Sequence, residues 1–229
     1  MKLGYLQKLS LIDYPQKLCA TVFTVGCNFR CHYCHNPELV QPKADLPLLS
    51  LDDLFAFLQR RVGLLDGVTI TGGEPTLQPD LPDFCRRIKA LGFLVKCDTN
   101  GYNPNALREL IAGGVVDYLA MDIKAPLSRY REVVGADIDP QIIAESVQLL
   151  KSSWCDYEFR TTVVAGDLSL ADFVEMGKLV AGASSYFLQG FVASKTLDGA
   201  YTKRVAPGAE AMREFQQILS AYVSECQIR

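Results

Sequence analysis

Six short apolar runs, each followed by a stretch of helical periodicity, limit what this 229-residue chain can fold into more than any other feature. The runs are CATVFTVG (19–26), GVTITGG (67–73), FLVKCDTN (93–100), YLAMDIKA (118–125), YEFRTTVV (157–164) and SYFLQGFV (185–192). Most are nearly continuous in apolar residues, as strands covered on both faces are. Helical patterns lie between and after them, over 50–62, 80–91, 104–112, 139–152, 169–181 and 208–224. Several helix starts carry their own signals. Ser50 with Asp53 resembles a capping box, Pro82 falls in a first turn after Asp80, and Pro140 follows Asp139 at a first helical position. Gly92 suits a helix stop. Strict strand–helix alternation predicts parallel strands joined by crossover helices. A full (β/α)8 barrel takes ~250 residues. The expectation is therefore α/β, an incomplete TIM-like barrel of six βα units with outer helices. An open doubly wound sheet is the alternative. The chain reads as a single domain, with a lead-in over 1–18, the six units over 19–192, and a C-terminal loop and helix over 193–229.

Composition narrows the function classes. Apolar residues make up 49% of the chain and charged ones 21%, enough to build a core without disulfide staples. The net charge is −3 and the basic residues are scattered, which argues against nucleic acid as a partner. The first residues lack the apolar core of a signal peptide, and no stretch approaches the ~20 apolar residues that span a bilayer. A cytoplasmic protein is expected, with no membrane partner and with reduced thiols.

The stretch GCNFRCHYCHNPEL (26–39) holds three of the eight cysteines and both histidines. Cys27, Cys31 and Cys34 have the spacing C-x3-C-x2-C. In a reducing compartment such clustering points to metal binding. Zinc sites and iron–sulfur clusters both use thiolates, and both normally need four ligands. A zinc reading closes the set with His32 or His35 and makes the chain a non-catalytic binding module. An iron–sulfur reading leaves one iron open to a small molecule. Cys19, Cys85, Cys97, Cys155 and Cys226 stand singly in strand or helix patterns, where cysteine serves as a small hydrophobe.

C-x3-C-x-Y-C, with Tyr33 before the third cysteine, resembles the signature of radical S-adenosylmethionine (SAM) enzymes. CHNPEL resembles their glycyl-radical-enzyme activase branch. SLIDYPQKLCATVFTVGCNFRC is similar to the anaerobic ribonucleoside-triphosphate reductase activating proteins, whose usual stretch reads SLIDYPG; Gln16 departs from it. The resemblance covers essentially the whole chain. It implies a [4Fe–4S] cluster on Cys27, Cys31 and Cys34, with SAM chelating the fourth iron. One electron from the cluster then cleaves SAM to methionine and a 5′-deoxyadenosyl radical. The implied partners are a glycyl radical enzyme, first of all the anaerobic reductase, and an electron donor such as flavodoxin or ferredoxin. Another glycyl radical enzyme, a peptide or a small molecule is the alternative substrate.

Every conspicuous polar motif falls at the C-terminal end of a predicted strand, the edge where such folds bind ligands. TGGEP (71–75) reads as a tight turn. By the resemblance, Gly72 and Gly73 expose backbone to the SAM ammonium while Glu74 orders the edge. In CDTNG (97–101), Asp98 and Thr99 are implied ligands of a monovalent cation, with Asp122 as a third. Asp122 and Lys124 share a strand face and form either an ion pair or contacts to SAM. Tyr33 and His35 complete the implied cofactor set near Cys34. Arg160, in an otherwise apolar strand, needs a partner if buried. It and Gln189 are implied contacts to SAM.

Overall fold

The computed structural model describes residues 1–229. Its eight strands form one sheet in sequence order: β1 (Leu3–Ser10), β2 (Cys19–Thr24), β3 (Gly67–Gly72), β4 (Leu94–Thr99), β5 (Tyr118–Asp122), β6 (Asp156–Val163), β7 (Ser185–Gly190) and β8 (Glu225–Ile228). Strands β2 to β8 are parallel, and β1 runs antiparallel to β2. β1 and β8 do not pair, so the barrel stays open on one side. All six predicted strands are present as β2 to β7. Two more flank them. β1 carries mixed polar and apolar residues on an exposed edge, and β8 is four residues long with a largely exposed sequence.

The helices are α1 (Pro37–Val40), α2 (Leu51–Gln59), α3 (Leu81–Ala90), α4 (Pro104–Ala112), α5 (Tyr130–Val134), α6 (Gln141–Lys151), α7 (Leu170–Leu179) and α8 (Ala209–Ser220). All six predicted helices are there. Their apolar stripes face the sheet: in α3 the buried residues are Leu81, Phe84, Cys85 and Ile88, one helical face. Phe173 of α7 stacks on Phe215 of α8 at 4.1 Å between ring centres. Each such buried side chain contributes about 1.5–3 kcal/mol. Cys19, Cys85, Cys97 and Cys155 are buried in this packing, as expected of small hydrophobes.

Capping differs in detail from the sequence expectation. The Ser50 hydroxyl accepts from the Asp52 amide, one residue short of Asp53, and no reciprocal bond forms. The reciprocal capping box belongs to Ser169 and Asp172 instead. Pro140 sits just before α6, where the Asp139 carboxylate accepts from the Gln141 amide.

The SLIDYPQ segment links β1 to β2 and folds against the barrel floor. Ser10 Oγ accepts from the amides of Ile12 and Asp13, and the Asp13 carboxylate accepts from the Thr21 hydroxyl at 2.7 Å. Tyr14 packs beside Tyr118 at the start of β5. The Lys17 amide then donates to the Tyr14 carbonyl, closing a turn with Pro15 and Gln16 at its centre. Gln16 has φ +58°, and no other residue except glycines has positive φ. Proline followed by a left-handed residue is type II turn chemistry, which favours glycine second. Gln16 therefore bears a backbone cost that glycine would not. Gln16→Gly is expected to stabilise the protein by about 0.5–1 kcal/mol, net of glycine's greater unfolded-state entropy. A urea titration of the apo protein that shows no gain would contradict this.

Candidate active site

The cysteine loop leaves β2 at the rim of the barrel, and backbone hydrogen bonds fix its start. The Gly73 amide donates to the Thr24 carbonyl at 2.9 Å, and the Glu74 amide donates to the Gly26 carbonyl at 2.8 Å. The two chains approach so closely that a Cβ on Gly73 would overlap the Gly26 carbonyl. A Cβ on Gly72, at φ +114°, would overlap the Thr24 backbone. The glycine pair is needed for this approach, whatever else its exposed backbone meets.

Cys27, Cys31 and Cys34 line one cavity. Around them stand Tyr33, His35, Gly72, Gly73, Glu74, Asp98, Thr99, Asp122 and Lys124. The structure thus gathers twelve of the predicted site residues from β3, β4, β5 and the cysteine loop. It also adds residues the sequence reading did not single out: Asn36, Asn100 and Thr162. Thr162 had a usable signal, because it lies two residues beyond Arg160 on the same strand face. Asn100 stood inside the quoted DTNG motif; its amide side chain donates to Asn28 Oδ1 of the cysteine loop at 2.8 Å.

Burial pushes the Cys27 thiol up to about 11 and the Cys31 thiol up to about 12. Metal ligation has to displace these protons, since the thiolate is the ligand. Tyr33 is 7% exposed, and its hydroxyl is buried without a hydrogen-bond partner. No three His, Cys, Asp or Glu side chains are gathered tightly enough for a single metal ion. The thiols are arranged around a shared space that also reaches the strand ends. Three soft donors, an orphaned hydroxyl and the exposed glycine backbone fit a cluster with a bound organic cosubstrate.

Both histidines act as joints. His35 Nε2 lies 2.9 Å from the Val192 carbonyl, and its ring stacks on Phe191. His32 Nδ1 lies 3.3 Å from Asp198, and its ring stacks on Tyr201. The amides of Leu197 and Asp198 donate to the carbonyls of Cys34 and His32, each at 3.0 Å. The segment after β7 is thereby strapped over the cysteine loop on both sides of Tyr33.

Glu74 is 1% exposed and ties β3 to β4. Its carboxylate accepts from the Thr76 amide and hydroxyl, from the Thr99 hydroxyl at 2.8 Å, and from the Asn100 amide at 2.7 Å. Burial raises its carboxyl against the pull of these donors.

Asp98 and Asp122 share one guanidinium. Arg160 donates through Nε to Asp122 at 2.9 Å and through a terminal nitrogen to Asp98 at 3.4 Å. Lys124 Nζ lies 2.9 Å from the other Asp122 oxygen, and Lys96 pairs with Asp98. The expected Asp122–Lys124 ion pair is therefore present. Arg160 and Gln189, expected as SAM contacts, do not line the thiol cavity. They line a second cavity with Lys96, Arg229 and the Leu11–Gln16 segment that covers the barrel floor. Arg160 lies level with Asp122 in the sheet, and its guanidinium is taken up by Asp98 and Asp122.

Burial alone would raise the Asp122 carboxyl. The opposite charges of Arg160 and Lys124 outweigh it and hold the group at about 2. The unfolded value is about 3.9, so folding favours the carboxylate. This contribution is complete above the unfolded value and is lost as pH falls from about 4 to about 2. Stability should drop by about 2 kcal/mol over that window. In Asp122→Asn the acid slope should be correspondingly shallower; an unchanged slope would contradict the assignment.

The model of the radical SAM superfamily matches residues 21–180. A Methanocaldococcus jannaschii protein assigned to the glycyl-radical enzyme activating enzymes is 34% identical over 228 residues, covering 96% of this chain and 92% of its own. The pyruvate formate-lyase-activating enzyme of Clostridium pasteurianum is 34% identical over 124 residues, covering 52% of this chain and 50% of its own. Among solved structures, TYW1 with a lysine–pyruvate adduct bound superposes with a TM-score of 0.65 at 18% identity. That match covers 90% of this chain and 74% of TYW1 and speaks to the fold alone. No helix is long and apolar enough to cross a membrane.

Proposed function

The chain belongs to the radical SAM superfamily, among the glycyl-radical enzyme activating enzymes, and from that premise we propose that it installs the glycyl radical of an anaerobic ribonucleoside-triphosphate reductase. The single observation carrying the site assignment is the convergence of Cys27, Cys31 and Cys34 on one cavity with the polar ends of β3, β4 and β5. The choice of reductase rests on the SLIDYP segment and the order of the motifs after it.

Cys27, Cys31 and Cys34 would hold a [4Fe–4S] cluster, and the remaining cavity would take SAM. When bound, the two supply reductive sulfonium cleavage and a radical that removes hydrogen from a glycine Cα. The protein's own residues bind, orient and exclude water. Lys124, which lines the cavity, would present a cation to the SAM carboxylate. The Gly72–Gly73 backbone would meet the ammonium. Tyr33 lines the cavity, and its hydroxyl is buried without a partner. Glu74 fixes the spacing between β3 and β4 and moves no proton. The strap over Cys34 and His35 fixes the position of the loop.

Asp98, Thr99 and Asp122 offer hard oxygens to a monovalent cation, in competition with Lys96, Arg160 and Lys124. Potassium dependence of SAM cleavage would reveal such a seat. A flavodoxin or ferredoxin would deliver the electron. We place this activity in the cytoplasm, where eight unpaired cysteines stay reduced. The chain 1–229 would act as one domain.

Anaerobic incubation of the reconstituted protein with SAM, reductant and the reductase tests the proposal. The expected products are 5′-deoxyadenosine, methionine and a glycyl electron-spin signal on the reductase. Cleavage with no signal on the reductase would reject that partner, and no cleavage would reject the activity.

A further inference from the structure

Glu158 lies on β6 two residues before Arg160 and is fully buried, at 0% exposed. It accepts one hydrogen bond from the Tyr118 hydroxyl at 2.9 Å. Two more come from the Arg229 guanidinium, at 3.1 and 3.0 Å, in a fork-on arrangement. The same guanidinium lies over the Phe187 ring, 3.4 Å from its centre. A terminal nitrogen of Arg160 is 4.0 Å from Glu158. Arg160 therefore stands between two sets of carboxylates, Asp98 and Asp122 at the thiol cavity and Glu158 deeper in the barrel.

We propose that Arg229 is a positioning residue: by saturating Glu158 it keeps Arg160 turned toward Asp98 and Asp122. The SAM part of this inference rests on the function proposed above. Without Arg229, Glu158 would keep one donor and a buried, uncompensated charge, which is costly. Arg160 is the nearest cation and would swing to it. Asp122 would then lose its Nε bond and Asp98 its guanidinium neighbour, leaving unbalanced negative charge on the cavity wall. A SAM carboxylate would meet that charge with only Lys124 and Lys96 left to offset it.

The test uses Arg229→Met, which keeps a long apolar stem over Phe187 and removes the charge. In its crystal structure Arg160 should bond Glu158 and release Asp122. Arg160 still on Asp122 would overturn the proposal, and this readout needs neither cluster nor SAM. In reconstituted protein, R229M should weaken SAM binding roughly tenfold in an equilibrium titration, or about 1.4 kcal/mol. The double variant R229M/E158Q should return to near wild-type affinity, because a neutral Gln no longer attracts Arg160. Unchanged affinity in R229M, or no rescue in the double variant, would overturn the proposal. Should R229M fail to fold, E158Q alone decides: affinity within twofold of wild type is expected, and a tenfold loss is contrary. Wild-type protein that binds no SAM would instead fault the functional reading and leave the structural test of Arg160 standing.

Discussion

Replacing any one of Cys27, Cys31 or Cys34 by alanine is expected to empty the cluster site and abolish SAM cleavage. All three thiols face one cavity, and the neighbouring donors cannot substitute. His32 and His35 are held by the strap, His32 near Asp198 and His35 at the Val192 carbonyl. The remaining cysteines are packed elsewhere in the sheet and helices: Cys85 lies on the buried face of α3, and Cys155 lies just before β6. Two thiolates cannot retain a cluster that normally requires a fuller ligand set. Iron per chain after anaerobic reconstitution should fall to near background, with no measurable 5′-deoxyadenosine. Cys85→Ala should retain wild-type iron and lose only packing energy, about 1 kcal/mol. Full iron retention in a loop variant, or iron loss in Cys85→Ala, would break the ligand assignment.

Glu74→Ala should destabilise even the apo protein, by about 3–5 kcal/mol. The carboxylate satisfies four donors in a buried place: two from Thr76, the Thr99 hydroxyl and the Asn100 amide. Each buried donor left unpaired costs about 1–3 kcal/mol, and partial relaxation keeps the sum below the arithmetic total. Glu74→Gln keeps an acceptor for Thr76 and Thr99 but turns an amide toward the Asn100 N–H. Its cost should be smaller, about 1–2 kcal/mol. Urea unfolding of apo variants separates this effect from cluster loss. A change below about 1 kcal/mol in Glu74→Ala would show that the carboxylate does not tie β3 to β4.

The parts of the molecule that were legible in the sequence share a physical cause. β2 to β7 are covered by helices on their outer face and read as near-continuous apolar runs. β1 and β8 border the open side, where exposure removes that pressure and leaves no pattern to read. The cysteine loop was legible because soft ligands are rare and their spacing is constrained. Asp98, Asp122 and Lys124 followed because strand ends place their side chains at the rim. For Arg160 a period of two gives the strand face but not the partners: Asp98 and Asp122 hold its guanidinium. Thr162, further along β6, reaches the cavity. The Glu158–Arg229 pair joins residues 71 positions apart, a separation that no local pattern reports. Gln16 was the converse case. Its departure from the SLIDYPG pattern was visible, but its meaning needed the left-handed φ of the turn.

The central claim is that three thiolates hold a cluster whose fourth iron the polypeptide leaves open for SAM. An electron-spin spectrum of the reduced, reconstituted protein, recorded anaerobically before and after adding SAM, tests it most directly. The expected result is a [4Fe–4S] signal that shifts when SAM is added, because the cosubstrate would enter the iron's coordination sphere. A signal that SAM leaves unchanged, or a colourless protein that carries zinc in place of iron, would contradict it.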